Sequence, residues 1–371
     1  EQPYPTWDAA DHVVHTLYWL DSIKDVGLLR GVFWGLVYRL PPRYPPVLIL
    51  TTLAGALIGG GSIAAMRLAH VVWFVVMLLA VYGIGNEVAG GWAGLLCVIM
   101  VGATAPVFYW GHSIMAEPSL YAGVASLLWL LIRWEDRLTP RRSVVLGLTV
   151  GVGLLTKQYY PALVAGPLGL LALRIADRLH QDADQRNKTL SNLVITVVVA
   201  TLTAGPLYAK NLPAMIADST RAAGFSLHSM APAKYLGVLL EQLGWPYVLL
   251  LVGGLVWVGY RVACSRRRFP GGAWAAYAPL LLLTSGFGLF CIVFVMVTRG
   301  GNANPRFFTP ILIPWGILAG LALEDVLKRH RLMARVLVLS ILVSQSLFWW
   351  HQSLYPVFPN TSTFFPETSS M

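Results

Sequence analysis

Asp8, Asp11, His12 and His15 stand close together in Pro-Thr-Trp-Asp-Ala-Ala-Asp-His-Val-Val-His. On a helix, spacings of three, four and seven from Asp8 put the four on one face. A carboxylate near a bilayer surface can take a proton from a hydroxyl, which makes Asp8 a candidate general base. The set Asp8, Asp11 and His12 also suits a divalent cation, the one cofactor the sequence raises. A plainer reading is a solvated helix, capped by Thr6, whose acids favour its own N-terminus.

Further candidates lie far along the chain. Glu117 opens an apolar run in Met-Ala-Glu-Pro-Ser-Leu, and Pro118 suits the first turn of a helix. Its carboxylate either complements the helix dipole or serves chemistry on the same face as Asp8. Lys157, between two apolar runs in Leu-Thr-Lys-Gln-Tyr-Tyr-Pro, either snorkels or offers a point charge to a phosphate. Arg299 and Arg306 flank the small polar loop Gly-Gly-Asn-Ala-Asn-Pro. A guanidinium there can bind a lipid phosphate bidentately or anchor in headgroups. Tyr44, with Tyr4, Arg39 and Arg43, is a softer binding candidate, and Tyr44 and Trp110 also read as belt aromatics. His70 reads as a packed core histidine. The sequence holds no nucleotide fingerprint and no serine nucleophile motif.

These residues need elements that hold them in place. Of 371 residues, 56% are hydrophobic and 12% charged, and the mean hydropathy is +0.64. Repeated apolar runs of that kind predict an all-α, polytopic transmembrane bundle. About ten spans are expected, near 62–84, 91–110, 118–133, 143–157, 159–174, 189–208, 245–261, 273–298, 307–327 and 333–350. The three cysteines, Cys97, Cys264 and Cys291, have no ligand spacing and indicate no disulfide framework.

The net charge of +10 is gathered in loops, which points to membrane orientation and not to nucleic acid. One cluster holds Arg133, Arg137, Arg141 and Arg142; the next holds Arg174, Arg178, Arg186 and Lys188. Then come Arg261 with Arg266, Arg267 and Arg268, and finally Lys328, Arg329, Arg331 and Arg335. Two spans separate each cluster from the next, so all four share a face, expected to be cytoplasmic. Parity then puts the Glu117 turn, the Lys157 turn and the loop 299–306 outside, in a multi-pass protein of a plasma or inner membrane. The expected organisation is an outer segment with juxtamembrane helices over 1–61, a membrane domain over 62–350 and an outer tail over 351–371. Val47–Gly60 is apolar but short, and reads as an interfacial or re-entrant helix rather than a span. The chain opens on Glu1, and an outward-running helix ahead of it would fit this arrangement.

Taken in order, several motifs resemble a known family. They are the Trp-Asp segment, Pro-Pro-Arg-Tyr-Pro-Pro before an apolar run ending Gly-Gly-Gly-Ser, and Ala-Ala-Met-Arg-Leu opening a span. Met-Ala-Glu-Pro-Ser-Leu, Gly-Leu-Leu-Thr-Lys and Pro-Arg-Phe-Phe-Thr-Pro follow. Over nearly its whole length the chain resembles the GT-C superfamily, in the family-39-like group of protein O-mannosyltransferases and aminoarabinose lipid A transferase. The resemblance implies that Asp8 is the catalytic base in the first outer loop and that Glu117 is the second acidic position. It implies further that Lys157 lies near the carrier phosphate and that Arg306 is the late basic position. One departure stands out: many relatives carry Asp-Glu where this chain has Asp8-Ala9, and Asp11 is the nearest carboxylate that could compensate.

The implied reaction moves sugar from a polyprenyl-phosphate donor to a hydroxyl of a glycan, lipid or protein acceptor, with inversion at the anomeric carbon. Two other classes stay open at this point. A transporter or flippase for a lipid-linked anion would use the same basic residues, and a GT-C-like subunit could keep the fold without the chemistry.

Overall fold

The structure is a computed structural model. It describes residues 7–36, 46–111, 113–134, 138–181, 183–224, 243–268, 273–298 and 309–330, with parts of 332–347. Among these residues every regular element is a helix. Tyr4, Arg39, Arg43, Tyr44, Arg299 and Arg306 lie outside the described residues, as do the side chains of Asp8 and Cys291.

Two short helices open the chain, α1 (Trp7–Val26) and α2 (Leu28–Trp34). Gly27 joins them at φ 85, a conformation that side chains resist. The sharp turn folds α2 back on α1. Helix α3 (Pro46–Ile58) starts on a proline and has 13 residues, about 20 Å at helical rise. That is too short for ~30 Å of hydrocarbon. It turns back at Gly59–Ser62 and lies against the start of α4 (Ile63–Ala89). Thr51 accepts from Trp73 Nε1 at 2.9 Å, and Thr52 bonds to His70 Nε2 at 2.9 Å.

Helix α4 has 27 residues, about 40 Å, and outreaches the hydrocarbon layer. Helices α5 (Gly91–Gly102) and α6 (Ala105–Gly111) together make one broken segment, bent by 78°. A break among apolar helices leaves carbonyls without partners. Here Thr104 donates to the Met100 carbonyl at 2.7 Å, and the Tyr247 hydroxyl reaches the same carbonyl. Tyr247 belongs to α11 (Trp245–Arg268), so a distant helix completes the break.

The remaining helices are α7 (Glu117–Trp134), α8 (Pro140–Leu154), α9 (Tyr160–Gln181), α10 (Ala183–Gly224), α12 (Ala273–Thr298) and α13 (Thr309–Arg329). Thr139 caps α8 by accepting from the Arg142 amide at 3.4 Å. Five helices among the described residues are long and apolar enough to cross a membrane, and the bent pair makes a sixth. About ten spans were expected; the rest of the apolar runs form shorter helices, or end in charge, or fall partly outside the described residues. Burial ranks the spans. Helix α13 has 72% of its apolar window buried and forms the centre, whereas α10 has 17% and faces lipid.

Lipid offers little hydrophobic drive for helices to associate, so close packing of small residues carries the contacts. Gly320 of α13 sits against the backbone of Cys97 in α5, where an added Cβ would come within 2.7 Å of the Cys97 Cα. Gly254 of α11 meets the Ala319 backbone as closely, at 2.8 Å. Ion pairs tie the far end of the bundle. Arg133 meets Glu87 at 3.6 Å, and Arg261 meets Asp325 at 2.7 Å. Trp257 Nε1 adds a bond to Asp325 at 3.0 Å. The described members of the basic clusters thus lie at one end, opposite Glu117, as their spacing predicts.

Gly320→Val is expected to cost about 1–3 kcal/mol, because the Cys97 backbone cannot yield. Thermal unfolding in detergent would show it, and an unchanged midpoint would contradict the packing.

Candidate functional site

Glu117 begins α7 and Lys157 lies in the turn between α8 and α9. The two are 40 residues apart and form an ion pair, Lys157 Nζ donating to Glu117 Oε1. Glu117 is fully buried and Lys157 is 17% exposed. Water cannot solvate the carboxylate at that depth, so the ammonium compensates it. Lys157 also lies 4.9 Å from the centre of the Tyr159 ring, within cation–π range.

The turn that presents Lys157 is held from several sides. Thr156 Oγ1 donates to Gly153 O at 2.6 Å, and the Tyr160 amide donates to Lys157 O at 3.0 Å. Tyr208 of α10 donates to Leu154 O at 3.0 Å. The Val47 amide, at the start of α3, donates to Leu155 O at 3.4 Å. This last bond brings α3 to the Lys157 turn. Tyr160 packs fully buried against Gly153, where no larger residue would fit. The sequence motif Gly-Leu-Leu-Thr-Lys therefore combines close packing at its glycine with a fixed ammonium at its lysine.

Helix α1 rests on α3 through a buried seam that includes Ala9, Val13, Leu20 and Ile23. His12 joins that seam at 4% exposure. Asp11 does not: it is partly exposed and pairs with His15 at 3.8 Å. A 100° step between adjacent residues separates Asp11 from His12. The single face expected for Asp11, His12 and His15 is thus divided, because the apolar seam claims His12. Asp8 stands on α1 one turn ahead of His12, and its side chain lies outside the described residues.

Asp11 and His12, two members of the expected cation set, point apart. Among the described residues no three His, Cys, Asp or Glu side chains group as metal ligands.

The start of α13, three residues after Arg306, approaches α7. Pro310 and Ile311 line a small apolar cavity with Val124, Leu128, Leu163 and Val164. Thr309 is fully buried there. What residue-by-residue reading missed is the polar contact of His70 with Thr52; an isolated histidine in an apolar run carries no signal of its partner.

The described residues thus form a long, largely apolar helical bundle with a buried charge pair at one end, beside the start of the folded-back helix α3. The chain is similar to ArnT from Cupriavidus metallidurans in the apo state, with TM-score 0.56 and 17% identity, covering 79% of this chain and 52% of that one. ArnT bound to undecaprenyl phosphate matches with TM-score 0.56 and 17% identity, covering 80% and 52%. The Archaeoglobus fulgidus oligosaccharyltransferase, in complex with Zn and sulfate, matches with TM-score 0.51 and 14% identity, covering 82% and 44%. The chain spans about half the length of these structures. Residues 43–204 match the family model for dolichyl-phosphate-mannose-protein mannosyltransferase. That match takes in the motifs Ala-Ala-Met-Arg-Leu, Met-Ala-Glu-Pro-Ser-Leu and Gly-Leu-Leu-Thr-Lys, which carry the resemblance to the family-39-like group. No curated protein matches its sequence significantly.

Lys157→Met leaves the Glu117 charge buried and uncompensated, and is expected to cost about 3–5 kcal/mol. Adding Glu117→Gln to Lys157→Met should recover much of that loss. Unfolding midpoints of the two single variants and the double variant check this; strict additivity would contradict the pair.

Proposed function

We propose that the chain is a membrane glycosyltransferase that moves sugar from a polyprenyl-phosphate donor to an acceptor hydroxyl on the extracytoplasmic face. The observation that carries this reading is the Glu117–Lys157 pair, joined at the end of the bundle where α3 and α1 arrive. Basic clusters at the opposite end favour that end as cytoplasmic. The family match over residues 43–204 and the ArnT structure with undecaprenyl phosphate support a lipid-phosphate donor.

In the proposed reaction the Asp8 carboxylate takes the proton of the acceptor hydroxyl. The acceptor oxygen bonds to the anomeric carbon, and the carbon–oxygen bond to phosphate breaks. The electron pair leaves with polyprenyl phosphate, whose added charge Lys157 and Arg306 stabilise. In this reading Arg299 and Tyr44 serve the donor headgroup and Asp11 serves the acceptor. Glu117 holds Lys157 in place before the donor arrives and orients the acceptor or sugar. Attack opposite the leaving group inverts the anomeric carbon. The acceptor is a glycan, a lipid or a protein.

One observation favours a second reading. The break between α5 and α6 is a feature that transport pathways also use. Purified protein in nanodiscs, given a panel of polyprenyl-phosphate sugars and acceptors, separates the two: transfer supports the enzyme, whereas movement of donor in vesicles without transfer supports a flippase. With a sugar accepted, Asp8→Asn is expected to slow transfer by about 10²–10⁴-fold while the unfolding midpoint holds. A fully active Asp8→Asn variant would rule out Asp8 as the base.

A further inference from the structure

Two helices at the Lys157 end of the bundle share one buried polar contact, and a third, α1, packs on one of them. His12 comes from α1, Thr52 from α3 and His70 from α4, and all three are buried, at 4%, 0% and 0% exposure. Thr52 Oγ1 donates its single proton to Leu48 O at 2.9 Å. Its oxygen is therefore left to accept, and His70 Nε2–H donates to it at 2.9 Å. This fixes the tautomer of a neutral His70, whose Nδ1 keeps its lone pair.

The contact sits between the two parts of the proposed site. On one side, Asp8 stands one turn ahead of His12 on the same helix. On the other, α3 carries Thr52 and also Val47, whose amide binds Leu155 O beside Lys157. Helix α3 thus links α1, which packs on it, to the Lys157 turn, and the Thr52–His70 bond ties that linking helix to α4. A hydrocarbon side chain would fill the seam as well as His70 does, but it would supply no directional bond. An imidazole there fixes how α3 and α4 meet, and α1 lies on the surface they make.

We propose that His70 is a positioning residue, which sets α1, and with it Asp8, relative to the Glu117–Lys157 pair. The catalytic part rests on the transferase reading above. The anchoring part does not.

The test uses the full chain in nanodiscs, with wild type, His70→Leu, His70→Gln and Thr52→Val. Each is assayed for transfer from a polyprenyl-phosphate sugar and for hydrogen exchange over residues 7–26. His70→Leu should lower kcat on the order of 10²-fold, the scale of a misplaced catalytic group, with donor KM within about twofold. It should also speed exchange in α1 by about tenfold or more, at the scale of one lost buried bond. His70→Gln keeps a donor near Nε2 and should restore much of kcat. Thr52→Val should reproduce His70→Leu with less change in volume, and serves if His70→Leu does not fold. Their double variant should lose little more than either alone, since both remove one bond. Unchanged kcat beside loosened α1 would overturn the catalytic role, and unchanged exchange would overturn the anchoring. A wild type that transfers nothing overturns the transferase reading, while exchange still decides the anchor.

Discussion

Glu117 and Lys157 can be held at their depth only together. The carboxylate has no water around it, and the ammonium is largely covered. Either charge alone would drag its helix end toward the surface or force the bundle to admit water. The start of α7 and the turn before α9 are therefore fixed to one another by charge, and the packing of Tyr160 on Gly153 must conform. The Tyr208 and Val47 bonds to Leu154 and Leu155 follow the same geometry, because a turn held in place exposes its carbonyls at set positions.

The same constraint extends to the N-terminal helices. Helix α3 is too short to cross and cannot leave its first amides bare in an apolar layer. It directs one of them at Leu155 and lies back along α4. Helix α1 then finds an apolar surface to cover, with His12 at its centre and Asp11 on its open side. A buried pair made for electrostatic reasons thus sets the platform on which the proposed base rests.

The same economy appears at the opposite end. Asp325 receives Trp257 and Arg261 from α11, and Arg329 from its own helix at 3.4 Å. Between the two ends the contacts are of another kind. Gly320 on Cys97 and Gly254 on Ala319 bring backbones together, and Tyr247 completes the broken α5–α6 segment. Directional polar contacts locate the ends, while the middle combines close backbone packing with the polar completion of one helix break.

Much of this was legible in the residues themselves. Apolar run length dictated helices, since a backbone in lipid must satisfy itself within each segment. Pro118 marked a helix start, and the loop arginines and lysines marked a shared end. Glu117 and Lys157 stood out because charge between apolar runs is costly. Their partnership was not legible, because nothing local says which of several charged turns will meet. Nor did periodicity show that His12 would be drawn inward and Asp11 left out, or that His70 had a hydroxyl waiting on α3. Local patterns specify which residues avoid lipid or water; only the packing of helices far apart in sequence decides which of those residues touch, because contact across a bundle depends on the rotation and height of every helix at once.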